Sequence, residues 1–160
     1  MKIGIISDTH GLLRPQVFGV FQGVEHILHA GDIGNVDIIT ELEAIAPVTA
    51  IWGNADGLEV RGRVPEMAEV ELGGVRVAVI HGMQVGSPTP EKIAALYPGA
   101  GLAVFGHSHR PLIKQVGPTL AVNPGSAGRR RFRDPVTVAL AEILAGSVTA
   151  RLVELDLEKR

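Results

Sequence analysis

Seven residues of the sequence carry oxygen or nitrogen donors of the kind that bind divalent metal ions: Asp8, His10, Asp32, Asn54, His81, His107 and His109. They offer carboxylate, amide and imidazole donors but no sulfur, a set suited to Mn, Fe, Ni, Co or Zn. Seven ligands exceed what one such ion takes and match two ions that share a carboxylate. Two divalent ions carry four positive charges, and Asp8 and Asp32 neutralise only half of them. The remaining charge favours a bridging hydroxide and a phosphate, and metals paired about 3.5–4 Å apart serve in-line phosphoryl displacement. The donor set therefore points to phosphoester hydrolysis.

The stretch LAVFGHSHRP holds two of these donors. Residues 102–105 read as a short strand buried on both faces. Gly106 permits a turn, or a close backbone approach that a side chain would block. If the chain stays extended, His107 and His109 project the same way with Cβ atoms roughly 7 Å apart. That separation is wide for one ion and suits two ions side by side. Taken alone, the pair reads equally well as a polar loop.

The elements that must position these groups alternate over the first two-thirds of the chain. Strands are predicted at 2–7, 25–29, 47–52, 75–80 and 102–105, and 67–72 forms a hairpin with 75–80 around Gly73-Gly74. Helices are predicted from Pro15 to near Gly23, over 36–44, and from the Thr89-Pro90 cap pair to Pro98. Thereafter the pattern is strands only, at 112–116, 119–122, 136–144 and 147–155. The layout is α/β with a strand-rich C-terminal third, consistent with two packed sheets flanked by helices. Five strands each end in a glycine-containing group bearing an Asp, Asn or His. In open α/β sheets, ligands bind beyond the strand carboxyl ends.

Composition narrows the remaining classes. At 160 residues, 46% hydrophobic and 20% charged, the chain reads as one globular domain over 1–160. A net charge of −2 offers no field for nucleic acid or acidic membranes. The absence of cysteine excludes disulfides, thiolate metal sites and cysteine nucleophiles. No apolar run approaches a membrane span or a signal peptide, so a cytoplasmic location is expected. Homo-oligomerisation is left open.

The order D-x-H, GD, GN, H-G and G-H-x-H, from Asp8 to His109, resembles the calcineurin-like metallophosphoesterase superfamily, and NPGS at 123–126 extends the pattern. The short chain, with GNAD in place of a GNHE-type motif, is similar to its small YfcE-type phosphodiesterases. The resemblance implies a four-layer α/β/β/α sandwich and two divalent ions, manganese first among the candidates. It implies one ion on Asp8, His10, Asp32 and His109, and a second on Asp32, Asn54, His81 and His107. Asn54 and His81 would also touch oxygens of a small phosphoester substrate. Many larger members carry a histidine after the GN asparagine, thought to protonate the leaving group; here that position is Ala55. Losing a positioned general acid costs about 10²–10⁴-fold, so leaving groups needing little protonation, such as aryl alcohols, are expected. Asp56 is a candidate replacement acid, with a turn-forming role slightly favoured over it.

Three other features carry expectations. His29 could steady Asp32 or its loop, whereas His26 reads as a plain core or edge histidine. Arg129 and Arg130, at the start of the one dense cationic run, could clamp a substrate phosphate. Core packing is expected for Trp52. The competing function is a non-catalytic protein-binding scaffold of the same fold, like the retromer subunit. A phosphomonoesterase or nuclease would share the metal ligands and differ in the surrounding cleft.

Overall fold

The computed structural model describes residues 1–130 and 133–158. In chain order it has β1 (Lys2–Ile6), α1 (Gln16–Val20), β2 (His26–His29), α2 (Val36–Glu43), β3 (Val48–Ala50) and α3 (Leu58–Arg63). Then come β4 (Met67–Leu72), β5 (Val75–Ile80), a 3-10 turn (Met83–Val85), α4 (Pro90–Leu96) and β6 (Leu102–Val104). The C-terminal third holds β7 (Leu112–Val116), β8 (Thr119–Asn123), β9 (Thr137–Leu144) and β10 (Ser147–Glu154).

The strands form two mixed five-stranded sheets, ordered β10-β9-β1-β2-β3 and β4-β5-β6-β8-β7. β1, β2 and β3 run parallel in one, and β5, β6 and β8 run parallel in the other. The period-2 alternation of strands sends Ile3, Ile5, Val77, Val79, Leu102, Val104, Leu120 and Val122 into the core between the sheets. The opposite residues of the same strands face the helices. Ile6, Ile27 and Val138 pack with Val17 and Phe21 of the α1 region and with Ile38, Ile39 and Leu42 of α2. Ile80, Ala103, Phe105 and Ala121 pack with Ile93 of α4. Each large apolar side chain so buried contributes about 1.5–3 kcal/mol. The result is the α/β/β/α sandwich expected from the sequence.

Local chemistry accounts for the helix starts. Asn35 caps α2 by accepting from Asp37 N–H at 2.9 Å, and Thr89 caps α4 by accepting from Lys92 N–H at 3.2 Å. The strands observed match the expected ones to within two residues at each end, as hydrogen-bond ladders fray. α3 and the 3-10 turn were not expected. α3 has six residues with a glycine inside, too short and broken for a helical period to show. Among the described residues, no helix is long and apolar enough to cross a membrane.

Candidate metal centre at the strand carboxyl ends

The loops following β1 and β2 are joined backbone to backbone. Asp8 N–H donates to Gly31 O (3.0 Å), His10 N–H to Asp32 O (2.9 Å) and Gly11 N–H to Ile33 O (2.8 Å). Asp8 and Asp32 are thereby set side by side, both buried. Asp8 Oδ1 stands 3.1 Å from His109 Nε2, 3.7 Å from His10 Nε2 and 3.9 Å from His81 Nε2. Asp32 Oδ2 stands 3.2 Å from His81 Nε2 and 3.7 Å from His10 Nε2. His107 Nδ1 donates to Asn54 Oδ1 at 3.1 Å, and its ring meets that of His81 edge-on at 5.1 Å between centroids.

Among the described residues, two groups have donor atoms close enough to share an ion: Asp8, His10 and His109, and Asp8, Asp32 and His81. Asn54 and His107 adjoin the second through the His81 ring. Asp8 reaches both groups, and Asp32 also reaches both through His10 and His81, so each aspartate can bridge. Of the i, i+2 histidines, His109 belongs to the first group and His107 adjoins the second through the His81 ring, and neither has the extended geometry expected. His107 and His109 both have left-handed backbones, with φ of 71° and 62°.

Strain and unmet bonding test whether the residues fit metal ions. Among the described residues six non-glycines have left-handed φ, and five of these are Asp8, His10, Asp32, His107 and His109. Each such residue costs on the order of 1–3 kcal/mol, and such strain clusters at functional sites. Asp8 Oδ1, His10 Nε2 and His81 Nε2 are buried without a hydrogen-bond partner. Orphaned buried polar atoms are rare because each forfeits its hydration. Three of them converging in one cleft, all lone-pair donors, fit divalent cations. His81 Nδ1–H donates to Ala30 O at 2.8 Å, which fixes its tautomer and leaves the Nε2 lone pair facing the aspartates.

Electrostatics follow the same convergence. Burial pushes the Asp8 carboxyl upward, but the His10 and His109 rings, the His81 charge and the Ser7 hydroxyl outweigh it and hold Asp8 well below the carboxylate range. Asp32 is likewise lowered: burial opposes ionisation, and the His81 ring with the Ala55 N–H (2.9 Å) overcomes it. For His81, burial disfavours the cation, yet Asp32 and Asp8 prevail and raise it. His107 is lowered by burial and then by the His81 charge.

Close backbone approach makes this packing feasible. Gly106 has an ordinary φ; what it supplies is room. A Cβ there would stand 2.6 Å from Asp8 Oδ2 and collide with Ser7 Oγ. Gly53 leaves the same room for the Asp32 carboxylate.

Asp56 is buried, and its two oxygens accept from three backbone donors: Gly34 N–H (2.8 Å), Gly53 N–H (2.9 Å) and Ile33 N–H (3.2 Å). A proton donor to substrate would have to surrender one of these bonds. The arrangement ties Asp56 to the β2 and β3 loops through both of its oxygens. Arg61, on the unexpected helix α3, backs the same loop by donating to Asp56 O at 2.7 Å and stacking on Trp52 at 4.1 Å.

Ser108 reads from sequence as a mere spacer, yet its hydroxyl accepts from Asn123 Nδ2 at 3.0 Å. Asn123, of the NPGS stretch, also donates to Gly106 O at 3.2 Å and accepts from Gly125 N–H at 2.9 Å. It thus clamps the loop carrying His107 and His109 from an adjacent strand. No spacing rule could reveal that contact; only the β6–β8 pairing brings the two together. His29 is fully buried and contacts Thr9 and Gly31, whereas the half-buried His26 bonds Thr49 Oγ1 at 2.8 Å on the sheet edge. Arg129 and Arg130 are exposed and line a small crevice with His109, Ser126 and Asp134. Arg131 and Phe132, of the same cationic run, lie outside the described residues.

The sequence matches the calcineurin-like phosphoesterase superfamily domain over residues 1–146. It is 38% identical over 150 residues to a probable metallophosphoesterase of Methanothermobacter thermautotrophicus, covering 88% of this chain and 85% of that one. A phosphodiesterase of Methanocaldococcus jannaschii is 28% identical over 141 residues, covering 78% and 83%. Among solved structures, wild-type Vps29 of Entamoeba histolytica complexed with Zn²⁺ superposes with a TM-score of 0.75 at 23% identity, covering 98% of this chain and all of that one. At that identity the likeness speaks for the fold alone. With the sequence match spanning every candidate ligand, the chain belongs to the calcineurin-like phosphoesterase superfamily and is a phosphoric ester hydrolase.

Proposed function

We propose that the chain is a dinuclear metal-dependent phosphodiesterase acting on a small phosphoester. The observation that carries this reading is the pair of Asp/His clusters meeting at Asp8 and Asp32, with three buried donor atoms that lack partners. Asp8, His10, Asp32 and His109 would hold one ion, and Asp32, Asn54, His81 and His107 the other. Manganese is the leading candidate for both. When bound, such a pair supplies Lewis-acid polarisation of the phosphoryl oxygens and a water acidic enough to attack near neutral pH.

The chain's own groups do the rest. Ala30 holds the His81 ring so that one nitrogen faces the cleft. Asn54, exposed at the rim, offers an amide to a phosphoryl oxygen. Arg129 and Arg130, in the crevice beside His109, would pair with non-bridging oxygens, for which the planar guanidinium is well matched. Ala55 presents no proton donor and the Asp56 oxygens are taken, so the substrate should carry a leaving group stable as an anion.

The test is hydrolysis of bis(p-nitrophenyl) phosphate with added Mn²⁺ or Ni²⁺ and with chelator. Metal-dependent turnover is expected, with Asp32→Asn and His107→Ala each losing at least about 10²-fold. Folded protein inactive with every divalent ion would favour the scaffold reading. Because a Vps29 is itself described with Zn²⁺, metal binding alone does not separate the two readings; turnover does. Running p-nitrophenyl phosphate and an oligonucleotide beside the diester separates a phosphomonoesterase or nuclease.

A further inference from the structure

His29 has no solvent contact, and both of its ring nitrogens are engaged. Gly31 N–H donates to Nδ1 at 3.1 Å, so that nitrogen bears no proton. The ring hydrogen is therefore on Nε2, 3.0 Å from Thr9 Oγ1, and the Thr9 hydroxyl in turn donates to Ile33 O at 2.9 Å. The chain of bonds leaves the β2 loop at Gly31, passes through the ring and the hydroxyl, and returns to the same loop at Ile33. Its middle member belongs to the β1 loop. Thr9 separates the left-handed Asp8 and His10, and Gly31 and Ile33 flank the left-handed Asp32.

We infer that His29 and Thr9 form a neutral clasp that positions Asp8, His10 and Asp32 for metal binding by locking the β1 and β2 loops to each other. Neither residue supplies a ligand; both are positioning residues, and their role rests on the metal-dependent reading of the site. The backbone bonds between the loops fix how far apart they stand. The clasp adds what those bonds cannot: it pins the side chain of residue 9, and so the rotation of the peptides on either side of it. Its neutrality has a physical source, since burial disfavours a charged ring at that depth.

The test is calorimetric titration of Mn²⁺ into metal-free protein, comparing wild type with Thr9→Val, His29→Leu, the double variant and Thr9→Ser. Each disruptive single substitution should weaken Mn²⁺ binding by about 10–100-fold, the effect typical of groups that orient metal ligands. The double variant should lose no more than the larger single, because both break one chain of bonds. Thr9→Ser, which restores the hydroxyl, should recover most of the affinity even if His29→Leu fails to fold. Wild-type affinity in folded Thr9→Val, or a loss in Thr9→Ser equal to that in Thr9→Val, would overturn the clasp while leaving the metal site standing. Wild-type protein that binds no divalent ion would overturn the metal reading itself, and the clasp with it.

Discussion

At Asp8, His10, Asp32, His107 and His109 the backbone takes a conformation that an isolated Asp or His rarely adopts. The surrounding bonds must hold it there, and Asp56 is the clearest example of how. Removing its carboxylate in Asp56→Ala strands the buried N–H groups of Ile33 and Gly53 and frees the part-buried one of Gly34, so a stability loss of about 2–4 kcal/mol is expected by denaturant unfolding. In Asp56→Asn the pH–rate profile should keep its shape if the residue organises the loop and transfers no proton; a lost alkaline limb would mark it as a general acid. His29 makes a separate prediction for metal-free protein. Burial pushes it down to about 4 from 6.5, against the opposing pull of Asp8, Asp56 and Asp32 and with help from the His81 charge. The unfolded chain therefore binds more protons between those values. The contribution to stability is whole above pH 6.5 and falls by about 3 kcal/mol as pH drops toward 4. Asp8 and Asp32, whose values lie below 3.8, lose theirs only at lower pH, and His81, whose value is raised, changes in the opposite sense. The comparison that isolates His29 is wild type against His29→Gln, and their stability difference should shrink between pH 6.5 and 4.5. A difference independent of pH would contradict it.

The strands and α2 and α4 were legible because each has a local signature: alternation, a cap, or a glycine pair at a turn. Thr89 is one such signature, and Thr89→Ala should cost α4 about 1 kcal/mol without changing turnover. A change in turnover would mean that α4 does more than cover its sheet. The convergence of ligands was also legible, since parallel strands deliver their carboxyl ends to one side. What stayed hidden depends on contacts between elements. The Asn123–Ser108 bond exists only through the β6–β8 pairing, and α3 is a six-residue helix whose Arg61 acts through Trp52 and Asp56. His107 and His109 are expected from sequence on an extended chain, whereas both residues have left-handed backbones. Type and spacing do not encode backbone handedness at a non-glycine position.

Across the whole molecule, the two sheets bring candidate ligands from both halves of the chain to one cleft, three strands from the first sheet and two from the second. Metal binding should therefore stabilise the pairing of the sheets as well as the loops. At an ion concentration 100 times the dissociation constant, one site adds about 2.7 kcal/mol, so chelator should lower the melting temperature and Mn²⁺ restore it. That effect is common to an enzyme and a metal-binding scaffold of this fold. The measurement that separates them is metal stoichiometry and turnover on one sample: metal content after Mn²⁺ loading, with the rate of bis(p-nitrophenyl) phosphate hydrolysis across the same titration. Two ions per chain, with turnover rising as the second site fills, is the expected result. Folded protein that takes up two ions and hydrolyses nothing, or that reaches full turnover with one, would contradict a dinuclear phosphodiesterase.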